Sequence, residues 1–316
     1  MRRNIIFELK SPYRDNMRIT SFEFGSYNDP GCENSLAILG STRGNEFQQL
    51  YSTSRIVEAL RILESEGQIE KGKKIVVIPT ANNYSFNLHK RFWSLDNTDI
   101  NRMFPGYDLG ETTQRIAYGV FEYVKGYNFG IQLTSFYQNA SFLPHVRMMH
   151  TGYENPEAAE GFGLPYVYIR NSRPYDTTTL NYNWQIWETT AFSLYIGETE
   201  KVSEKCGDIA VDAVVNFLKA NGICKGSVEN PKKTELLKSS DLAKIKIQNA
   251  GFIKKLNKPG DIVRKGQIMG YVYDPYDHST LETLISPVDG TVFYAIADDM
   301  TYQKATVYRI IRETSF

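Results

Sequence analysis

From Leu36 onward, short apolar runs alternate with longer stretches in which apolar residues recur every three or four positions. Leu36 to Leu39 is continuously nonpolar and predicts a strand buried on both faces. Phe47, Leu50, Tyr51, Ile56, Val57, Leu60 and Leu63 follow at helical spacing and predict a helix over 47–63. The same reading predicts strands at 74–79, 129–134, 165–169 and 191–196, and helices at 112–124 and 209–218, the last closed by Gly222. This alternation implies an α/β fold, a mostly parallel or mixed sheet with helices on its faces. Ligands in such sheets sit at the carboxyl ends of the strands, so the loops there are expected to carry the chemistry.

After Gly226 the texture changes. A polar, lysine-rich linker over 227–240 separates an α/β domain over 1–226 from a β-rich module over 241–316, in which turn signals such as Lys258-Pro259-Gly260-Asp261 and Ser286-Pro287-Val288-Asp289-Gly290 divide strands of period two. These runs resemble the small barrel-sandwich fold of biotinyl and lipoyl carriers. A carrier needs a lysine on the hairpin between its halves, and residues 274–285 contain none, so the module reads as a structural or lid element.

Composition narrows the partners. The chain has 316 residues, 41% apolar and 23% charged, with 36 Lys and Arg against 36 Asp and Glu. No global field therefore points to nucleic acid or to a membrane surface, and a small or peptide-like ligand is favoured. The apolar run in Met1–Lys10 is too short for a signal-peptide core, and no segment approaches the ~20 apolar residues of a membrane-spanning helix. A cytoplasmic location is expected; a homo-oligomer stays open. Cys32, Cys206 and Cys224 form no C-x-x-C pair, which predicts reduced thiols.

The chemistry concentrates at Gly40-Ser41-Thr42-Arg43-Gly44-Asn45-Glu46, between the first predicted strand and helix, and at Arg91 followed by Asp96-Asn97-Thr98-Asp99-Ile100-Asn101-Arg102-Met103-Phe104-Pro105-Gly106. These segments resemble the Gly-x-His-Gly-Asn-Glu and Asp-Gly-x-Asp-Leu-Asn-Arg-x-Phe-Pro-Gly motifs of the succinylglutamate desuccinylase and aspartoacylase family of zinc carboxypeptidase-like amide hydrolases. The resemblance spans roughly Ala37 to Leu218 and implies a zinc carboxypeptidase-like mixed sheet flanked by helices. It also implies a substrate carboxylate held by Arg91, Asn101 and Arg102, and a zinc ligand at Glu46. At the remaining family positions this chain departs. Arg43 stands where the first zinc-binding histidine would be, Thr134 in Gln132-Leu133-Thr134 where the second would be, and Tyr195 in Ser193-Leu194-Tyr195-Ile196-Gly197 where the catalytic glutamate would be.

A catalytic zinc needs about three His or carboxylate donors and an open position for water. Arginine has no acceptor lone pair and threonine offers only a neutral hydroxyl, so Glu46 is the one good donor left in the family set. Arg43 is expected to pair with Glu46 and to take over part of the metal's electrostatic role by holding an anionic or carbonyl oxygen. Tyr195 could donate to a bound oxyanion or simply pack. His89, His145, His150 and His278 are the remaining candidates for a rebuilt metal site, with His145 and His150 on opposite faces if 145–150 is a strand. Glu198 or Glu200 would serve as an offset base only if the strand before them were bulged. The aromatic and hydroxyl-rich stretch 175–187 reads as a binding loop or as cover for the sheet edge, and Arg147, Arg170 and Arg173 as further anion contacts. Two functions follow. One is a protein that binds a carboxylate-bearing small molecule or peptide through Arg43, Arg91, Asn101 and Arg102, with no cofactor and zinc hydrolysis lost. The other is an active hydrolase of N-acyl amino acids or small peptides, with zinc in a rebuilt site.

Overall fold

A computed structural model describes residues 1–11, 13, 15–228 and 233–313; part of the linker read over 227–240 and the tail of the C-terminal module thus lie outside the described residues. The chain divides into two compact units, one of residues 1–135 and 144–236, the other of residues 136–143 with the chain from Leu237 onward.

In chain order the larger unit runs β1 (Arg2–Leu9), β2 (Met17–Gly25), β3 (Glu33–Ser41), α1 (Phe47–Ser65), β4 (Lys73–Thr80), α2 (Asn83–Asn87), α3 (Thr112–Val124) and β5 (Phe129–Thr134). After β6 (Ala140–Phe142), which belongs to the smaller unit, it continues with β7 (His145–His150), α4 (Pro156–Glu160), β8 (Tyr166–Asn171), α5 (Leu180–Ile186), β9 (Thr190–Tyr195) and α6 (Glu204–Ala220). The strands form one mixed sheet in the order β1-β2-β4-β3-β5-β9-β7-β8, extended by β10 (Glu235–Lys238). β4, β3, β5 and β9 are parallel neighbours, β7 runs antiparallel to β9, and β8 runs parallel to β7.

Every strand and helix read from the pattern is present. The helix over 112–124 and the strand over 129–134 keep the predicted ends, and the last helix starts earlier, at Glu204, where the Ser203 side chain caps it. One face of the sheet packs on α1 and α6 through Leu36, Ile38, Ile131, Leu133, Phe192 and Leu194. The other packs on α3 and α5 through Ala37, Leu39, Ile78, Ala191, Leu180 and Trp184. Alternate residues of each buried strand thus serve the two faces. Several elements were not foreseen. β1 and β2 extend the sheet at the N-terminus, and within the stretch read as a binding loop, 180–186 is a helix whose Trp184 is fully buried.

The smaller unit is made of antiparallel strands: β11 (Leu242–Lys246), β12 (Gly251–Lys255), β13 (Ile262–Val263), β14 (Ile268–Tyr273), β15 (Thr280–Ile285), β16 (Gly290–Ile296), β17 (Met300–Thr301) and β18 (Thr306–Arg312). One sheet orders β11-β18-β16-β13 with β6 on β16, the other β15-β14-β12-β17, and residues of both, including Ile253, Val272, Leu284, Val292 and Val307, share one core. Among the described residues no helix is long and apolar enough to cross a membrane.

Candidate functional site

The loop from β3 to α1 is enclosed, with Thr42 to Glu46 all buried. Gly44 is required by a close backbone approach: a Cβ there would lie 2.4 Å from the carbonyl carbon of Ser85 and 2.5 Å from the Lys90 oxygen. The Glu46 carboxylate folds back onto its own loop. Its Oε2 accepts from the backbone N–H of Thr42 at 2.9 Å and of Arg43 at 3.0 Å. Its Oε1 accepts from Arg43 Nη1 and from the Ser135 hydroxyl, each at 3.0 Å. Arg43 Nε and Nη2 in turn donate to Asp99 Oδ2 at 3.2 and 2.9 Å.

Arg43 is 3% exposed and Glu46 0%, so neither charge would be tolerated alone. Burial pushes the Arg43 guanidinium down, but the adjacent Glu46 and Asp99 carboxylates outweigh it and hold it above its usual range. Of the five N–H groups of Arg43, three are committed to protein carboxylates, which leaves two for any ligand oxygen. Two carboxylates against one guanidinium leave this triad one negative charge in excess.

The second motif wraps around the first. Asp99 Oδ1 accepts from the Asn101 N–H at 3.0 Å, Asn101 Oδ1 accepts from the Leu180 N–H at 3.2 Å, and Arg102 Nη1 donates to the Asn101 carbonyl at 2.8 Å. The segment is thereby tied to the start of α5. Arg91 meets the first loop through its backbone, its carbonyl accepting from the Gly44 N–H at 3.1 Å, while its guanidinium lies 5.6 Å from the Phe92 ring centre.

Thr134 and Tyr195 are register partners at the ends of β5 and β9. The Tyr195 hydroxyl accepts from Arg147 Nη1 at 2.7 Å, and its ring lies 3.9 Å from that guanidinium and 4.9 Å from the stacked ring of His145. No register shift interrupts β9, so no bulge re-aims Glu198, and Glu200 accepts from the Asn45 amide at 2.7 Å. The histidines do not converge: His145 is buried beside Tyr195, His150 pairs with Glu154, His89 packs edge-on to Phe47, and His278 stacks on Tyr273. Among the described residues no group of three His, Cys, Asp or Glu side chains stands close enough to hold a metal ion. Both Glu46 oxygens are engaged and Arg43 cannot be a ligand, so this donor set does not fit a zinc ion.

The sequence reading missed Ser135, one residue beyond Thr134, and the grip of Asp99 on Arg43, for which the only signal was the position of Asp99 inside the second motif. It also missed Asp176, whose carboxylate takes both Arg170 Nη1 and Nη2 at 2.7 Å.

A family model described as the succinylglutamate desuccinylase/aspartoacylase catalytic domain matches residues 32–220, and this stretch carries both the Arg43 loop and the Asp99 segment. The chain belongs to that family. A curated relative, the N-alpha-acetyl-L-2,4-diaminobutyric acid deacetylase of Halomonas elongata, is 22% identical over 248 residues, covering 75% of this chain and 70% of the relative. Among solved structures, a succinylglutamate desuccinylase from Silicibacter sp. TM1040 superposes with a TM-score of 0.80 at 16% identity, covering 98% of this chain and 95% of that one. The product-bound ectoine utilization protein EutE (DoeB) of Ruegeria pomeroyi gives 0.78 at 17% identity, covering 95% and 90%. At these identities the structural likeness speaks to the fold alone.

Proposed function

We propose that this chain is a desuccinylase/aspartoacylase-family protein that binds a carboxylate-bearing small molecule or peptide and has lost zinc hydrolysis. The observation that carries this reading is the saturation of Glu46 by Arg43, Ser135 and two backbone N–H groups. A metal ion would have to displace a buried guanidinium from both of its carboxylates. Arg91, Asn101 and Arg102 form the proposed carboxylate end of the site, because guanidinium and amide donors suit bidentate carboxylate recognition. Tyr195, held by Arg147 at the end of β9, is the proposed contact for a ligand oxygen on that side of the site. We extend the proposal to a barrel-sandwich architecture for the C-terminal module, with domains over 1–226 and 241–316 joined by a linker, and to a cytoplasmic location.

The test is metal content after incubation with zinc and desalting, with Glu46→Ala as control. The wild-type protein is expected to hold well under one equivalent, whereas Arg43→His combined with Thr134→His restores a three-donor set and is expected to approach one. Binding of N-acyl amino acids, followed by calorimetry, is expected to vanish in Arg102→Ala. Stoichiometric zinc in the wild type, lost in Glu46→Ala, would overturn the reading. It would favour a second one, an active amide hydrolase of N-acyl amino acids, for which the deacetylase activity named for the Halomonas relative is the supporting observation.

A further inference from the structure

On the sheet face toward α5, strand register sets side chains in rows. The uppermost row is Thr134, Tyr195 and His145. The row beneath it is Leu39, Gln132, Ser193 and Arg147. Gln132, Ser193 and Arg147 are thus polar neighbours on adjacent strands, in a row where the opposite face of the same strands carries Ile131, Leu133, Phe192 and Leu194. Gln132 is 2% exposed, yet its Nε2 has no hydrogen-bond partner.

The roof above this row carries the matching deficit. A Cβ on Gly130 would lie 2.8 Å from the Trp184 ring, and Gln185 Nε2 donates to the Met149 carbonyl at 3.1 Å, which seats one turn of α5 over the row below Gln132. The helix start is tied upward to Asn101. Asn181 lies one turn toward that start, on the same side as Trp184 and Gln185, and a rise of ~5.4 Å per turn nearly matches the ~6.6 Å between strand rows. Asn181 therefore sits over Gln132 and Ser193. It is 2% exposed, and neither its Oδ1 nor its Nδ2 has a partner; Gln185 Oε1, fully buried, lacks one as well. Buried amides are otherwise almost always paired, and leaving these unpaired costs far more than an apolar replacement would.

Resting on the carboxylate-site reading, we infer that Gln132, Ser193 and Asn181 form a specificity pocket for a ligand arm that ends in a neutral carboxamide. Such a group offers an acceptor oxygen to Gln132 Nε2 and Asn181 Nδ2 and an N–H to Asn181 Oδ1. A carboxylate has no donor for Asn181 Oδ1, and an aliphatic arm leaves all three atoms unmet, which is the kind of mismatch that discriminates strongly.

Calorimetry with N-acetyl-L-asparagine, N-acetyl-L-glutamine, N-acetyl-L-aspartate and N-acetyl-L-leucine tests this. One of the two carboxamides is expected to bind at least about tenfold more tightly than the aspartate or leucine compound, roughly one hydrogen bond's worth. Asn181→Leu and, separately, Gln132→Leu are expected to erase that preference while circular dichroism stays unchanged; Asn181→Ser serves if the leucine variant does not fold. Equal binding of all four, or a preference that survives in both variants, overturns the inference and leaves the carboxylate site standing. Absence of binding by all four removes the carboxylate-site reading and this inference with it.

Discussion

The two faces of the sheet in the larger unit are built from the same strands and differ in almost everything else. Toward α1 and α6, residues such as Leu36, Ile38, Ile131, Leu133, Phe192 and Leu194 make an apolar layer with no polar interruption across β3, β5 and β9. Toward α5, the alternate residues begin as apolar core at Ala37, Leu39 and Ala191 and turn polar within two rows of the strand ends, at Ser41, Gln132, Thr134, Ser193, Tyr195, His145 and Arg147, most of them buried. One face thus supplies the stability that lets the other bury charge and unpaired amides. The ion triad of Arg43, Glu46 and Asp99 stands beside this polar end.

The largest effect that would break the contrast is at the triad. Arg43→Ala leaves Glu46 buried without its counter-charge and is expected to destabilise the protein by about 3–5 kcal/mol in urea unfolding, while Arg43→Met with Glu46→Gln is expected to recover most of the loss. Next comes the apolar face: Leu194→Ala should cost about 3 kcal/mol through the cavity it leaves, whereas Ser193→Ala, one residue away on the opposite face, should cost under about 1 kcal/mol. A comparable loss in both would mean that the faces are not divided as described.

The smallest effect is read as a slope. Burial pushes the Asp176 carboxyl up, but the Arg170 guanidinium bonded to it outweighs this and holds it below the usual carboxylate range. The folded protein therefore takes up this proton less readily than the unfolded chain, so the contribution is fully present above the unfolded value of about 4 and is lost as pH falls below it. Asp176→Asn is expected to flatten the decline of thermal stability between about pH 5 and pH 3.

Buried strands and amphipathic helices were legible because period and run length are local properties. β1 and β2 were not, since β1 is a largely exposed edge strand with charged residues in it and β2 mixes Met17, Ile19 and Phe24 with Arg18, Thr20 and Glu23, a weak signal without its neighbours. Residues 180–186, Leu-Asn-Tyr-Asn-Trp-Gln-Ile, have poor helix propensity; the Thr179 cap and the burial of Trp184 against Gly130 make the helix. Of the site, the two segments that carry Arg43, Glu46, Asn101 and Arg102 could be read, because they depend only on residue identity.

What the sequence by itself determined is the set of buried strands and amphipathic helices that periodicity marks, and the membership of the family. Only the tertiary structure decided that Asp99, 56 residues from Arg43, shares its guanidinium, and that Ser135, 89 residues from Glu46, holds the other side of that carboxylate. These pairings come from strand register and helix seating, which depend on how separate elements bury their apolar faces together, and no local pattern encodes that.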